Sequence, residues 1–394
     1  MPLKFENLIR MTKTICILMA LCILFSCRQS EKTKTDIPIV TWDCNHISSI
    51  HDADLIRDVD ILKLDCKEVI FEEIDKIIKH KKWIYLMDKQ KTRSVFVYDT
   101  LGNFVNSIST FGQGPKEYLQ MTDIFVDSNN STLNIVSRID KKILQYTLDG
   151  DSCIGIRKLP KSFWSLSPFQ KKYIGYMGNY GEDRTKPFNL WSLNQDLELE
   201  DGYFEIPSSW ESQLQSGGYV FSYYQGDLLF IKSMDYNIYS AEKNFKPQYS
   251  LDFGKSNWPD FSDSYDQMLE RLRQMKYVNR LHYFQETTHF LLGLFTYKGQ
   301  DLLGIYDKEE QHSSVLRLEP YTNPYFLSFG NIIGMDEEAI YSLVRASDVK
   351  RSWTGKDEYN DFTTKYPTQI KRLREKFKDV DENGNPFLLI HYIK

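Results

Sequence analysis

The stretch WIYLMDKQKTRSVFVYDTLGNFVNSI, residues 83–108, decides the fold. It contains three short apolar segments, Trp83–Asp88, Ser94–Asp99 and Phe104–Ile108, with polar residues between them. Aromatic and β-branched residues fill these segments, which is the composition of β-strands. Gly102 sits in the second break, where a tight turn needs a positive φ. The pattern predicts three consecutive antiparallel strands.

The same unit recurs along the chain. Its second copy places strands at Thr132–Ser137, Ile143–Thr147 and Cys153–Lys158, with Gly150 in the turn before the last one. Four weaker copies follow, and the leading strands of the six units start near residues 83, 133, 173, 228, 290 and 339. Four-stranded propeller blades repeat at about 40 to 50 residues, and the longer steps here contain insertions. We therefore predict an all-β fold, a six-bladed β-propeller that spans residues 39–394 as a single domain.

Two insertions have the apolar spacing of amphipathic helices, at about residues 260–281 and about residues 357–379. Turn residues and the apolar segment Phe387–Ile393, a predicted final strand, follow the second insertion. The last blade then lacks a fourth strand, and Asp60–Leu64 is the candidate to complete it. We expect this N-terminal strand to pair with the C-terminal blade and close the ring, which removes the sheet edges between its ends.

The N-terminus has the order of an export signal. Lys13 precedes an apolar block of eleven residues, Ile15–Phe25, which is shorter than the roughly 20 residues of a membrane-spanning helix. The sequence Leu24-Phe-Ser-Cys27 resembles the lipobox of bacterial lipoproteins, in which the cysteine is lipidated. We expect residues 1–27 to be a lipoprotein signal peptide ending at Cys27 and the polar residues 28–38 to be a flexible tether. An ordinary cleaved signal or a buried apolar strand is the alternative.

Composition and local motifs exclude several functional classes. The formal net charge is −5, and the part that follows Ser26 carries −7, so the chain lacks the basic footprint of a nucleic-acid-binding protein. Export permits a disulfide between Cys44 and Cys66, but two buried free thiols are an equal alternative. Cysteines and histidines have no zinc-site spacing, and neither HExxH nor Gly-x-Ser-x-Gly occurs. We therefore predict no metal site and no cofactor, with calcium as the one ion that inward-facing oxygens of a propeller would suit.

The segment Phe111-Gly-Gln-Gly-Pro-Lys-Glu-Tyr118 and the following Ile124–Asp127 form a more specific motif. Together with Asn385-Pro386 before the terminal apolar strand, this motif resembles the six-bladed β-propeller lipoproteins of gut-dwelling Gram-negative bacteria, which are similar in shape to NHL-repeat propellers. The resemblance implies the fold and an exported, lipid-anchored location in the cell envelope, with the outer membrane as the expected membrane. It implies no activity, because most members have no known ligand.

Candidate binding residues follow from the loop geometry of a blade. The loop between the second and third strands lies on the same face of the ring as the connection to the next blade, and that face usually carries the ligand. Arginines in such loops suit a carboxylate or an acidic sugar, and tyrosines suit a sugar ring or a peptide side chain. Solvated loop charges and rim packing are the alternatives. The candidates are Arg93, Tyr118, Arg138, Tyr180, Arg184, Tyr236, Tyr297 and Arg345. The Gly112–Tyr118 loop itself we interpret as a structural turn.

These observations favour a cell-envelope lipoprotein that acts as a binding or scaffold module, and they make an enzyme the less favoured class. The expected partner is a glycan, a peptide or another envelope protein, and we expect a monomer that meets the membrane only through its N-terminal lipid. The alternative is a propeller hydrolase or lyase acting on a polysaccharide or lactone. That alternative requires His, Tyr, Arg or carboxylate groups that converge in the channel. The candidate histidines for such a cluster are His282 and His289.

Overall fold

A computed structural model describes residues 37–49, 55–65, 73–182, 187–206, 219–232, 235–259, 265–318, 331–352 and 367–394. The chain from Ile39 to Lys394 forms one compact unit. The predicted lipidation site Cys27 lies outside the described residues. Within the described ranges, no helix has both the length and the apolar character needed to cross a bilayer.

The chain enters the fold through three strands, β1 (Ile39–Thr41), β2 (Ile47–Ser49) and β3 (Ile56–Lys63), and the sheets form six blades, each with four antiparallel strands. Blade 1 contains β4 (Lys76–His80), β5 (Trp83–Asp88), β6 (Ser94–Asp99) and β7 (Phe104–Ile108), and blade 2 contains β8 (Met121–Asp127), β9 (Thr132–Ser137), β10 (Lys142–Tyr146) and β11 (Cys153–Lys158). Blade 3 contains β12 (Ser165–Phe169), β13 (Lys172–Tyr176), β14 (Phe188–Leu193) and β15 (Leu199–Glu205), and blade 4 contains β16 (Phe221–Tyr224), β17 (Asp227–Phe230), β18 (Asn237–Ser240) and β19 (Lys246–Asp252). Blade 5 contains β20 (Tyr283–Glu286), β21 (Phe290–Tyr297), β22 (Gln300–Asp307) and β23 (His312–Arg317), and blade 6 contains β24 (Asn331–Met335), β25 (Ala339–Val344), β26 (Phe387–Ile393) and β3. The all-β, six-bladed β-propeller predicted from the repeats is confirmed.

The first strand of each blade lies at the centre of the ring. Strand β4 contacts β8 and β24, β8 contacts β12, and β20 contacts β16 and β24. The six predicted leading strands are therefore the second strands of their blades. The second strands gave the clearest signal because they are buried on both faces, as in β5 and β9, whereas the first strands border the channel and carry polar residues.

Ring closure occurs as predicted. Strand β3 pairs antiparallel with β26, from Ile56 opposite Ile393 to Lys63 opposite Phe387. The N-terminal strand thus supplies the outermost strand of the C-terminal blade, and the two ends of the propeller hold each other.

The helical insertions are α1 (Tyr265–Gln274), α2 (Ala346–Ser352) and α3 (Pro367–Phe377). The loop order of a blade predicts that both insertions lie on the ligand face and rim the mouth of the channel, and for α3 this is wrong. Arg372 donates to the Asp58 carboxylate and to the Val59 carbonyl, and Lys376 Nζ donates to the Ile61 carbonyl at 2.7 Å. The helix lies along the outer edge of blade 6 because the outward carbonyls of the edge strand β3 need donors.

The first two strands form a belt around blades 4 and 5 that the sequence did not predict. Strand β1 pairs parallel with β19, and β2 pairs parallel with β23, each as a fifth strand. Trp42 follows β1, is 0 % exposed, and stacks on Phe295 with ring centroids 5.9 Å apart. Gly293 and Gly304 face each other across β21 and β22, and a Cβ on either would lie 2.4 or 2.3 Å from the Trp42 ring. The two glycines therefore form the slot for this indole.

Cys44, one of the two cysteines considered for a disulfide, lies just after the belt strand β1. Cys44 is buried beside this slot and carries a free thiol. Burial raises the pKa of the Cys44 thiol to about 11, so the group is protonated at neutral pH. Cys66, its predicted alternative partner, lies outside the described residues.

Candidate functional site

The two faces of the ring carry different connections. Strand direction alternates within each blade, so the loops between second and third strands share one face with the segments that join successive blades. We call this the upper face. It carries the Lys89–Arg93 loop, the Gly112–Tyr118 loop and α1, as the loop rule predicts. The opposite, lower face carries the loops between first and second strands.

A cavity of about 600 Å³ lies at the upper end of the channel. We call it the cup. Each blade contributes to its wall at or near the start of its first strand. Those contributions come from Lys76, Asp123, Ser165, Phe221, Tyr283 and Asn331. The cup is therefore a product of the whole ring and not of one loop.

Hydrogen bonds tie the first strands together below the cup. The Tyr223 hydroxyl donates to the Pro168 carbonyl at 2.6 Å, and Gln285 Nε2 donates to the Tyr223 carbonyl at 2.7 Å. Further down, the Gln225 amide donates to the Glu337 carboxylate at 3.1 Å. These bonds link blades 3, 4, 5 and 6, so the lower channel is braced while the cup above it is hollow.

Four charged groups of the cup wall form two ion pairs. Lys76 Nζ lies 2.6 Å from Asp123 Oδ1, and this pair joins blades 1 and 2. Lys89 Nζ lies 3.3 Å from Asp75 Oδ1, and the Lys89 amide also donates to Asp75 at 2.8 Å. Each of these charges is largely buried, so its partner offsets the loss of hydration. The pairs offer both donors and acceptors to a ligand.

A hydrogen-bond chain fixes His282 on the wall of the cup. The Thr296 hydroxyl donates to Asp301 Oδ1 at 2.7 Å, and His282 Nε2 lies 2.7 Å from the same hydroxyl oxygen. Because the hydroxyl has one hydrogen and gives it to Asp301, His282 Nε2 must carry the other hydrogen and donate. Burial, followed by the nearby Arg280, lowers the pKa of His282. The ring is therefore neutral at pH 7, and its Nδ1 is an acceptor.

Aromatic side chains, each with a polar group on its ring, form another part of the cup wall. Tyr219 and Tyr283 pack with ring centroids 4.5 Å apart, and Lys76 Nζ lies 5.3 Å from the Tyr219 centroid. Burial raises the pKa of both phenols, so both stay protonated. Trp164 adds a third ring on the side of blades 2 and 3. Such a combination of rings and paired charges suits a polar ligand with hydroxyl or amide groups.

Two of the predicted binding residues come together beside the cup. The guanidinium carbon of Arg138 lies 4.4 Å from the centroid of Trp164, which lines the cup, and 5.0 Å from that of Tyr180. Arg184, in the same loop as Tyr180, lies outside the described residues.

Three predicted tyrosines lie in the packing between blades instead. Tyr118 is 0 % exposed, and its hydroxyl donates to the Arg93 carbonyl. The Tyr236 hydroxyl donates to the Val278 carbonyl at 2.5 Å, and Tyr297 belongs to the apolar cluster between blades 4 and 5. The structure places none of the three in the wall of the cup.

The other two predicted arginines are exposed on the upper face at a distance from the cup wall. Arg93 lies over the Phe111 ring, with its guanidinium carbon 4.3 Å from the centroid. Arg345 precedes α2 and lies 4.0 Å from Asp348. Their binding roles stay predictions.

The glycine-rich segment after blade 1 is a closed turn. The Glu117 carboxylate accepts the Gly114 amide hydrogen at 2.6 Å. A Cβ on Gly112 would lie 2.1 Å from Glu117 Oε2, which explains the glycine. The backbone donor is used within the turn, and Tyr118 anchors the turn to blade 1, as a structural interpretation requires.

Comparison with known proteins agrees with this architecture. The family model described as Domain of unknown function (DUF4934) matches residues 35–392. The chain belongs to the DUF4934 family. No curated protein matches it.

Solved structures show the same fold for this DUF4934 chain. A protein of Bacteroides fragilis NCTC 9343, named as an exported protein, is 19 % identical with a TM-score of 0.70, covering 90 % of this chain and 99 % of that one. A member of the duf4221 family from Bacteroides vulgatus ATCC 8482 is 9 % identical with a TM-score of 0.51, covering 86 % and 98 %. At these identities the likeness concerns the fold alone.

Sequence reasoning missed most of the cup in this DUF4934 chain. Lys76, Asp123 and Thr296 come from three blades, and no local spacing connects them. A usable signal is a polar residue at or near the start of the weak strand that precedes a strong strand, as Lys76, Asp123, Ser165 and Asn331 show in blades 1, 2, 3 and 6. Of the two candidate histidines, His282 lines the cup, whereas His289 lies in a lower-face loop.

The described part of this DUF4934 chain contains no group of three or more His, Cys, Asp or Glu side chains placed to hold a metal ion. Three acids of the cup wall, Asp75, Asp123 and Asp301, instead bond to lysines or to a threonine. These contacts leave polar groups in the wall that can form hydrogen bonds with a ligand.

Proposed function

We propose that this DUF4934 propeller is a binding module of the cell envelope, anchored through a lipid on Cys27, that holds a small polar ligand in the cup. The observation that carries the proposal is a single cavity of about 600 Å³ to which all six blades contribute. Ligand sites commonly have volumes of about 300 to 1,000 Å³ and combine apolar surface with a few placed polar groups. A glycan or a peptide has the hydroxyl or amide groups that the paired charges and tyrosines of the cup would bind.

Thermal unfolding in the presence of glycan and peptide panels tests this proposal. A ligand at 100 times its dissociation constant adds about 2.7 kcal/mol to the free energy of unfolding and raises the melting temperature. We expect Asn331→Trp, which places a large ring in the mouth of the cup, to abolish the shift. The matched control is Leu101→Trp, because Leu101 is 78 % exposed in a lower-face loop. A shift that persists in Asn331→Trp would place the ligand elsewhere.

A second candidate function, hydrolysis or lysis of a bound polysaccharide or lactone, is favoured by the chain of Asp301, Thr296 and His282. These hydrogen bonds hold the His282 imidazole in one tautomer on the wall of the cup, and the ring is neutral, which is the state that a general base needs. Incubation of the protein with each ligand that shifts the melting temperature, followed by chromatography, separates the two functions. Products that form with the original protein and not with His282→Gln would establish the enzyme. If every ligand stayed intact, the binding function would be the one supported.

A further inference from the structure

Arg138 occupies an unusual position on the upper face beside the cup. It follows β9, and its guanidinium contacts the Trp164 and Tyr180 rings, at 4.4 and 5.0 Å from their centroids. The side chain is half-buried, and its Nε is buried without a hydrogen-bond partner among the described residues. Two rings thus contact a cation whose side chain forms no hydrogen bond with another described residue.

Glu182, an acid that acts electrostatically on Arg138, is already bonded to other groups. One oxygen of Glu182 bonds to Lys141 Nζ, and the other accepts the Ser162 amide hydrogen at 3.0 Å. No carboxylate in the described part of the chain forms an ion pair with Arg138. Burial lowers the pKa of Arg138, yet a guanidinium stays charged at any physiological pH. A half-buried cation without an anion is unfavourable, and a bound anion would relieve this cost.

The charged side chains of the cup wall balance each other in number. Its wall holds four acids and four bases among the described residues, Glu73, Asp75, Asp123 and Asp301 against Lys76, Lys89, Lys232 and Arg280. Arg138, which has no ion pair among the described residues, therefore adds one positive charge at the edge of a wall with equal numbers of acids and bases. Trp164 connects the two regions, because its ring lines the cup and also contacts Arg138.

We infer that Arg138 binds a carboxylate of the ligand, and that the ligand is a saccharide with a single uronic acid residue whose neutral part lies in the cup. The inference rests on the proposed function and names its ligand class. A planar guanidinium presents two parallel N–H donors, which match the two oxygens of a carboxylate. The donors and acceptors of the cup wall suit sugar hydroxyls, and Trp164 suits a sugar ring.

Calorimetric titration tests the inference with a disaccharide that carries one glucuronic acid residue and with its methyl ester, which has the same shape without the charge. We expect the acid to bind at least tenfold more tightly than the ester, a difference of about 1.4 kcal/mol. Arg138→Gln should lower the affinity for the acid to that for the ester and leave the ester unchanged. The control is Arg317→Gln, an exposed arginine on the outer strand β23, and it should change neither affinity.

The indole N–H resonance of Trp164, assigned by its loss in Trp164→Phe, gives a second reading in the unmodified site. It should move on addition of the acid and much less on addition of the ester. Equal binding of acid and ester, or unchanged binding in Arg138→Gln, would overturn the inference while the cup remains a binding site. Absence of any movement with the acid would also overturn it. Binding of a tripeptide with a free C-terminal carboxylate, but not of the disaccharide, would replace the saccharide by a peptide.

Discussion

Blades 4 to 6 and blades 1 to 3 differ in how they treat their outer edges. Blades 4 and 5 each receive a parallel fifth strand, and α3 lies against the outermost strand of blade 6. No further strand of the described residues pairs with β7, β11 or β15, and Ile154 on β11 is 59 % exposed. The N-terminal segment therefore works as a belt over one half of the ring. The first strands of all six blades form the wall of the cup. Because the belt holds blades 4 and 5 in the ring, it stabilises this wall from outside.

The largest effect on this comparison should come from Trp42→Ala, which removes the indole from its slot between blades 4 and 5. We expect a loss of about 4 kcal/mol in the free energy of unfolding, because a fully buried large ring leaves a cavity. The control is Ile154→Ala on the open edge, which should change stability by less than about 0.5 kcal/mol. Urea unfolding measures both. A loss below about 1 kcal/mol for Trp42→Ala would mean that the belt contributes little.

The glycine slot gives the next largest effect. Gly304→Ala places a Cβ 2.3 Å from the Trp42 ring, and we expect a loss of about 1 to 3 kcal/mol from overpacking. In the Trp42→Ala background the same substitution should cost less than about 0.5 kcal/mol, because the ring that it meets is gone. This double-mutant cycle is measured by urea unfolding. Equal losses in both backgrounds would show that the glycine serves some other purpose, such as strand geometry.

The belt also shows why part of the fold was not predictable from the sequence. The strong second strands, such as Thr132–Ser137, are six residues long and buried throughout, so their composition alone reveals them. By contrast, Ile39–Thr41 is three residues long and has one buried residue between two exposed ones. A segment of this length carries too little periodicity to indicate a strand, and its parallel partner is more than 200 residues away.

The candidate site was partly predictable for the same kind of reason. Arg138 and Tyr180 were found because the loop rule depends only on strand order, which the repeats supply. The rule does not tell whether a side chain points outward or into the packing, and Tyr118 and Tyr297 point into the packing. The cup wall was missed because six distant strand starts meet only after the ring has closed.

A smaller effect is expected where α3 meets blade 6. Arg372→Ala removes the donor to the Asp58 carboxylate and to the Val59 carbonyl, and the partly exposed site should lose about 1 kcal/mol. Lys371→Ala, the exposed neighbour on the same helix, is the control and should change stability by less than about 0.5 kcal/mol. Urea unfolding of both variants decides the point. If the two variants were equally stable, α3 would contribute no edge contact of consequence.

The smallest effect on stability should come from the open half, and it is informative for that reason. Ile154→Lys places a charge on the exposed face of the outer strand β11, and we expect a change of less than about 0.5 kcal/mol in urea unfolding. Light scattering during heating should nevertheless fall, because a lysine on an edge strand opposes pairing between molecules. Ile154→Val, which keeps the edge apolar, is the matched control and should scatter like the original protein. A loss of more than about 1 kcal/mol for the lysine variant would show that this edge is covered in solution, and the contrast between the two halves of the ring would no longer hold.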